Sequence, residues 1–123
     1  MKKKIEEDAE RAKQALESAQ RNLKEGDILT AANRSFIACE NAIYVLLKLK
    51  FGSTSISRMK ILTNLKEIYP NAKEAYDLSY DLRVQADYGR ESRITPLNKE
   101  NLENSLEKVK SIVDMAKKAL KEK

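Results

Sequence analysis

The sequence predicts an all-α protein, an antiparallel up-and-down four-helix bundle with one additional short helix, folded as a single domain over residues 1–123. Three observations carry this prediction. The chain has only 3 Gly and 2 Pro, too few for the many turns of an all-β protein. Apolar residues recur in alternating steps of four and three along several long segments, which places them on single helical faces. A content of 41% hydrophobic and 35% charged residues is too apolar for a disordered chain and too charged for a membrane protein, and 123 residues suit one core.

The elements follow in order. Ile5, Ala9, Ala12, Leu16, Ala19 and Leu23 form one stripe on a first helix whose other positions are Lys, Glu, Arg and Gln, a solvated face. Gly26 can end that helix and Asp27 can cap the next. The second segment, about Ile28 to Leu49, is the most apolar. Phe36, Ile37, Ala38, Ala42, Ile43, Val45, Leu46 and Leu47 cover more than one face, which predicts a central helix buried on several sides. Glu40 and Asn41 interrupt it. A buried Glu is costly unless paired, so Glu40 either finds a partner or points outward at a helix edge. Gly52 and the run Ser53-Thr54-Ser55-Ile56-Ser57 read as a loop offering hydroxyl caps. A short helix with Ile61, Leu62, Leu65 and Ile68 ends at Pro70, which can open the next.

The fourth long segment, about Asn71 to Tyr88, carries two stripes. Ala72, Ala75, Ser79, Leu82 and Ala86 make a small face suited to close packing. About 100° around the helix lie Tyr76, Tyr80, Arg83, Asp87 and Arg90, aromatic at one end and charged at the other. Gly89 can close this helix. After Thr95-Pro96, Asn98 can cap a last helix striped by Leu102, Leu106, Val109, Val113, Ala116 and Leu120.

Composition also excludes chemistry. There is no histidine, which removes di-iron Glu-x-x-His sites, most zinc sites and the commonest general base. The isolated glycines make no phosphate loop, so neither a metal nor a cofactor is predicted. Cys39, in the apolar run Phe36-Ile37-Ala38-Cys39, reads as a core filler rather than a nucleophile. The start, Met1-Lys2-Lys3-Lys4-Ile5-Glu6-Glu7, has no apolar stretch behind it and does not read as a secretory signal. The longest uncharged run in the middle of the chain, Asn41 to Leu47, is far below the ~18 residues of a membrane span. With one cysteine, these features predict a cytoplasmic protein without a membrane partner. A net charge of +5 permits nucleic-acid or nucleotide binding without demanding it.

Two stretches resemble a known family. Ala31 to Leu47, a small-residue helix carrying the polar pair Glu40-Asn41 and then an aliphatic end, resembles the second helix of HEPN domains. Leu82-Arg83-Val84-Gln85-Ala86-Asp87-Tyr88-Gly89 is similar to the Arg-x-x-Ala-Asp-Tyr segment of small standalone prokaryotic members. The resemblance implies a bundle of four or five helices, a two-fold homodimer with a polar cleft, and binding of nucleotides or RNA. It also implies a minimal nucleotidyltransferase as partner in a toxin–antitoxin pair. The family's ribonuclease branch places a His after the Arg matched by Arg83. Here the corresponding positions are Tyr88, Gly89 and Arg90, and Ser57-Arg58 stands where relatives often carry another His.

The reading is therefore a non-catalytic binding module with no catalytic residue assigned. Its candidate ligand- or partner-binding residues are Arg83, Asp87, Tyr88, Tyr80, Tyr76, Glu40 and Asn41. The alternative is a metal-independent ribonuclease with a non-standard site on Arg83, Asp87 and Tyr88. Within the binding reading, Arg83 and Asp87 are one turn apart and can simply pair with each other, or Arg83 can reach across to Glu40.

Overall fold

A computed structural model describes residues 2–53, 57–89 and 95–122, with the backbone alone for Lys2. Its five helices are α1 (Lys2–Lys24), α2 (Ile28–Phe51), α3 (Arg58–Ile68), α4 (Pro70–Tyr88) and α5 (Lys99–Lys121). Arg90 and residues 54–56, which the sequence placed in a functional stripe and a capping loop, lie outside the described residues.

Local chemistry sets the helix ends. The Asp27 carboxylate accepts from the Thr30 amide at 3.1 Å and caps α2. These hydrogen bonds hold its carboxyl below the ordinary value. Gly52 and Gly89 close α2 and α4 in the left-handed region, at φ 80° and 66°, where a side chain would be strained. Ser57 and Asn98 cap α3 and α5 through their side chains, and Pro70 opens α4 at a position where no amide hydrogen is needed.

Twelve of the 24 residues of α2 are buried, and α1, α4 and α5 all pack on it. It is the central helix. Ala31, Ala32, Ser35, Ala38, Cys39 and Ala42 keep its surface thin, so three helices approach it closely. Ile43, Val45, Leu46 and Leu47 then fill the core toward its C-terminal half. The α1 stripe is buried at Ile5, Ala12, Leu16 and Ala19 and partly buried at Ala9 and Leu23. The α5 stripe is buried from Leu102 to Ala116, and Ser105 and Ile112 widen it. Cys39 is fully buried, and burial pushes its thiol up to about 12, so it stays a neutral core side chain.

Polar pairs record how the helices lie. Lys48, near the end of α2, binds Asp8, near the start of α1, at 2.6 Å, and the Asp8 side chain is 7% exposed. Asn33, near the start of α2, donates to Asp87, at the end of α4, at 3.4 Å. Gln85, buried on α4, fixes the return of the chain: its amide donates to the Thr95 carbonyl and accepts from the Leu97 amide, both at 2.8 Å. No helix among the described residues is long and apolar enough to cross a membrane.

Candidate functional site

The second stripe of α4 meets α2 and the first turn of α3 on one face. Phe36 of α2 is its hub. The ring is buried and meets Tyr76 and Tyr80 edge-on, with centroids 5.3 and 5.5 Å away. The two tyrosines, one turn apart on α4, stack with planes 4° from parallel. Two guanidiniums lie on this aromatic surface. Arg58 sits over Tyr80 at 3.9 Å and reaches Tyr76 at 5.7 Å. Arg83 lies over Phe36 at 5.2 Å.

The two arginines differ in their commitments. Arg83 Nε donates to Asp87 Oδ2 at 3.1 Å, and Asn33 donates to the same oxygen. The pairing of Arg83 with Asp87 along the helix is therefore present, alongside the contact to Phe36. Arg58 has no ion pair among the described residues.

Glu40 is half-buried at the edge of this cluster, neither enclosed in the core nor free in solvent. Burial raises its carboxyl above the ordinary value, while the Tyr44 hydrogen bond and the Arg83 charge pull it back. Burial also pushes the Tyr44 phenol up to about 12 and raises that of Tyr76, with the Glu40 charge adding to both. Tyr44 in turn has the Lys48 ammonium 5.8 Å from its ring, so a polar seam runs along α2 from Glu40 to Lys48 and on to Asp8.

The structure thus brings together Glu40, Tyr76, Tyr80, Arg83 and Asp87. Tyr88 lies just beyond, 68% exposed. Asn41 does not join them. It lies 100° further around α2, donates to the Ile37 carbonyl at 2.9 Å, and lines a cleft against α1. Sequence reasoning missed Phe36, which it read only as core, and Asn33, Tyr44 and Arg58. The one signal for Arg58 was that Ser57-Arg58 stands where the family resemblance often places a histidine.

None of the four clefts described in this structure is lined by Glu40, Tyr76, Tyr80, Arg83 or Asp87. No group of three or more Cys, Asp or Glu among the described residues is placed to hold a metal ion. What the face offers chemically is π surface, two cations and two carboxylates, Glu40 half-buried and Asp87 paired with Arg83. It suits stacking and ion pairing.

No curated protein matches the chain significantly. The crystal structure of a protein from Sulfolobus solfataricus superposes with a TM-score of 0.72 at 19% identity, covering 89% of this chain and 96% of that one, a likeness of fold. The HEPN domain model matches residues 5–120, from the first buried side chain of α1 to the last turn of α5, and the chain belongs to the HEPN domain family.

Proposed function

We propose that this protein is a non-catalytic HEPN binding module whose α2–α4 face takes single-stranded RNA or a nucleotide. The observation that carries the reading is the Arg58 guanidinium, 3.9 Å from the centre of the Tyr80 ring and 5.7 Å from that of Tyr76, with no ion pair among the described residues. It is a fixed cation for phosphate next to rings on which a base can stack. The helix order and the end-to-end pairs Lys48–Asp8 and Asn33–Asp87 support reading the bundle as antiparallel and up-and-down.

The same face supports a homodimer or a minimal nucleotidyltransferase partner, as in a toxin–antitoxin pair, in a cytoplasmic setting. Exposed apolar side chains adjoin it. Leu29 (59% exposed) lies one turn before Asn33, Met59 (79%) follows Arg58, and Tyr88 follows Asp87.

The ribonuclease alternative has one observation in its favour, the raised Glu40 carboxyl. Metal-free cleavage of RNA needs a base and also an acid to protonate the leaving oxygen. Burial moves the Tyr44 and Tyr76 phenols further from neutrality. Glu40 alone supplies half of that chemistry, so binding is preferred.

The test is fluorescence anisotropy with a labelled single-stranded RNA in EDTA, followed by gel analysis of the same sample. Wild type is expected to bind and leave the RNA intact. Arg58→Ala is expected to weaken binding about tenfold, the scale of one lost charge-assisted contact, while lowering Tm by no more than about 4 °C, the scale of one lost cation–π contact. Full-strength binding by Arg58→Ala, or cleavage of the RNA, rejects the reading.

A further inference from the structure

The Arg58–Arg83 face is formally neutral, with Glu40 and Asp87 matching the two arginines. A polyanion held there needs more positive charge close by. The structure supplies it on the far side of α2.

Between α1 and α2 lies a cleft of about 310 Å³ lined by Arg11, Gln14, Ala15, Ser18, Arg34, Ile37 and Asn41. The three larger clefts, of about 460, 640 and 810 Å³, all have carboxylates in their walls, whereas this one has none. Its cations are poorly compensated. Arg34 is exposed and has no ion pair among the described residues. Arg11 reaches Asp8 only at 3.6 Å, and that carboxylate is already held by Lys48 at 2.6 Å. One negative charge thus answers two positive ones.

Neutral donors complete the lining. Asn41 is 9% exposed and donates one amide hydrogen to the Ile37 carbonyl, which leaves its second N–H for another acceptor. The Ser18 hydroxyl accepts from Asn22 at 3.3 Å and keeps its own hydrogen to donate. Two guanidiniums, an amide and a hydroxyl around a wall without carboxylates suit a phosphate oxygen.

Arg34 follows Asn33, the residue that hydrogen-bonds Asp87 on the other face. Only the thickness of α2, about 10–12 Å, separates the two sites. A single phosphate or mononucleotide does not span that distance, but an oligonucleotide does. We propose that the α1–α2 cleft at Arg11, Ser18, Arg34 and Asn41 is a phosphodiester-binding subsite for a nucleic-acid strand that crosses α2 from the Arg58–Arg83 face. The crossing rests on the proposed function; the cleft stands on its own lining.

The experiment is an NMR titration of isotopically labelled protein with a single-stranded pentauridylate, with UMP and inorganic phosphate as separate arms. The Asn41 side-chain amide and the Arg34 guanidinium are expected to shift with pentauridylate and far less with either small anion. Arg34→Ala, a surface change, is expected to leave Tm unchanged. It is expected to reduce the slope of log affinity against log salt by about 0.7 and to weaken binding roughly fivefold near 0.1 M salt, the value of one phosphate contact on a single strand. Shifts confined to Tyr80 and Arg83 overturn the subsite and leave the proposed function standing. Shifts confined to Arg34 and Asn41 support the subsite and reject the α2–α4 reading. An equal response to inorganic phosphate overturns the phosphodiester assignment, and no shift anywhere overturns both.

Discussion

Replacing Phe36 by Leu tests whether the aromatic hub holds the fold and the face together. Leucine keeps much of the apolar bulk in this buried position but removes two edge-on ring pairs, at 5.3 and 5.5 Å, and the surface under Arg83. Each aromatic pair is worth about 0.5–1.5 kcal/mol beyond area burial, and a partly exposed cation–π contact about 0.5–1. Leucine recovers part of this by packing, so the net loss should be about 2 kcal/mol. For 123 residues the unfolding entropy is about 260 cal/mol/K, and that loss lowers Tm by about 8 °C. Thermal melts followed by circular dichroism read the stability, and RNA anisotropy at about 15 °C, where the variant stays folded, reads the face. Affinity should fall as well, because Arg83 loses the ring beneath it. A Tm within about 2 °C of wild type would show that the rings merely touch and that Phe36 is an ordinary core residue.

Two further predictions concern single polar groups. The folded state holds the Glu40 proton more tightly than the unfolded chain, whose reference value is 4.5, because burial raises the carboxyl. Its contribution to stability is therefore full below about pH 4.5 and is lost as pH rises through the higher folded value. Glu40→Gln has no such proton to lose, so its Tm relative to wild type should increase from about pH 4 to about pH 7; a constant difference would refute the assignment. Ser105 is fully buried and its hydroxyl has no hydrogen-bond partner among the described residues. Ser105→Ala removes that unsatisfied group and gains helix propensity, so it should stabilise by about 1 kcal/mol, or about 4 °C in Tm, and a lower Tm would contradict the packing described for α5.

The helices were legible because their signals are periodic and local. Stripes on α1 and α5 predicted buried faces nearly residue by residue, and the excess apolar surface of α2 predicted its central place. Ala15 and Ile112 were left out only because a strict four-three count draws a stripe narrower than a face packed by two neighbours. Gln85 was invisible as a buried residue. Its burial depends on two backbone groups ten and twelve residues later, and a polar side chain gives no sign of them. The candidate site was half legible for the same reason. Tyr76, Tyr80, Arg83 and Asp87 share one helix, and spacing aligns them. Arg58 arrives from another helix across a loop, and no period connects it to Tyr80. Glu40 and Asn41 look like one polar pair in the sequence, yet a single residue step turns them onto different sides of α2.

That division follows from the build of α2. Its alanines, serine and cysteine let α1, α4 and α5 pack closely, so the helix is buried over half its residues and still has two polar margins. One margin carries Asn33, Glu40, Tyr44 and Lys48 toward the aromatic face and the seam to Asp8. The other carries Arg34 and Asn41 toward α1. Neither margin is a complete site by itself, because each takes its second wall from the helix packed beside it: Tyr80 and Arg83 from α4, Arg11 and Ser18 from α1. A larger residue in the small stripe, at Ala38 or Ala42, both fully buried, would push those helices outward. It would open both walls at once. Stability and the shape of the two faces of α2 are thus joined through the thinness of one helix, with no direct contact between the faces required.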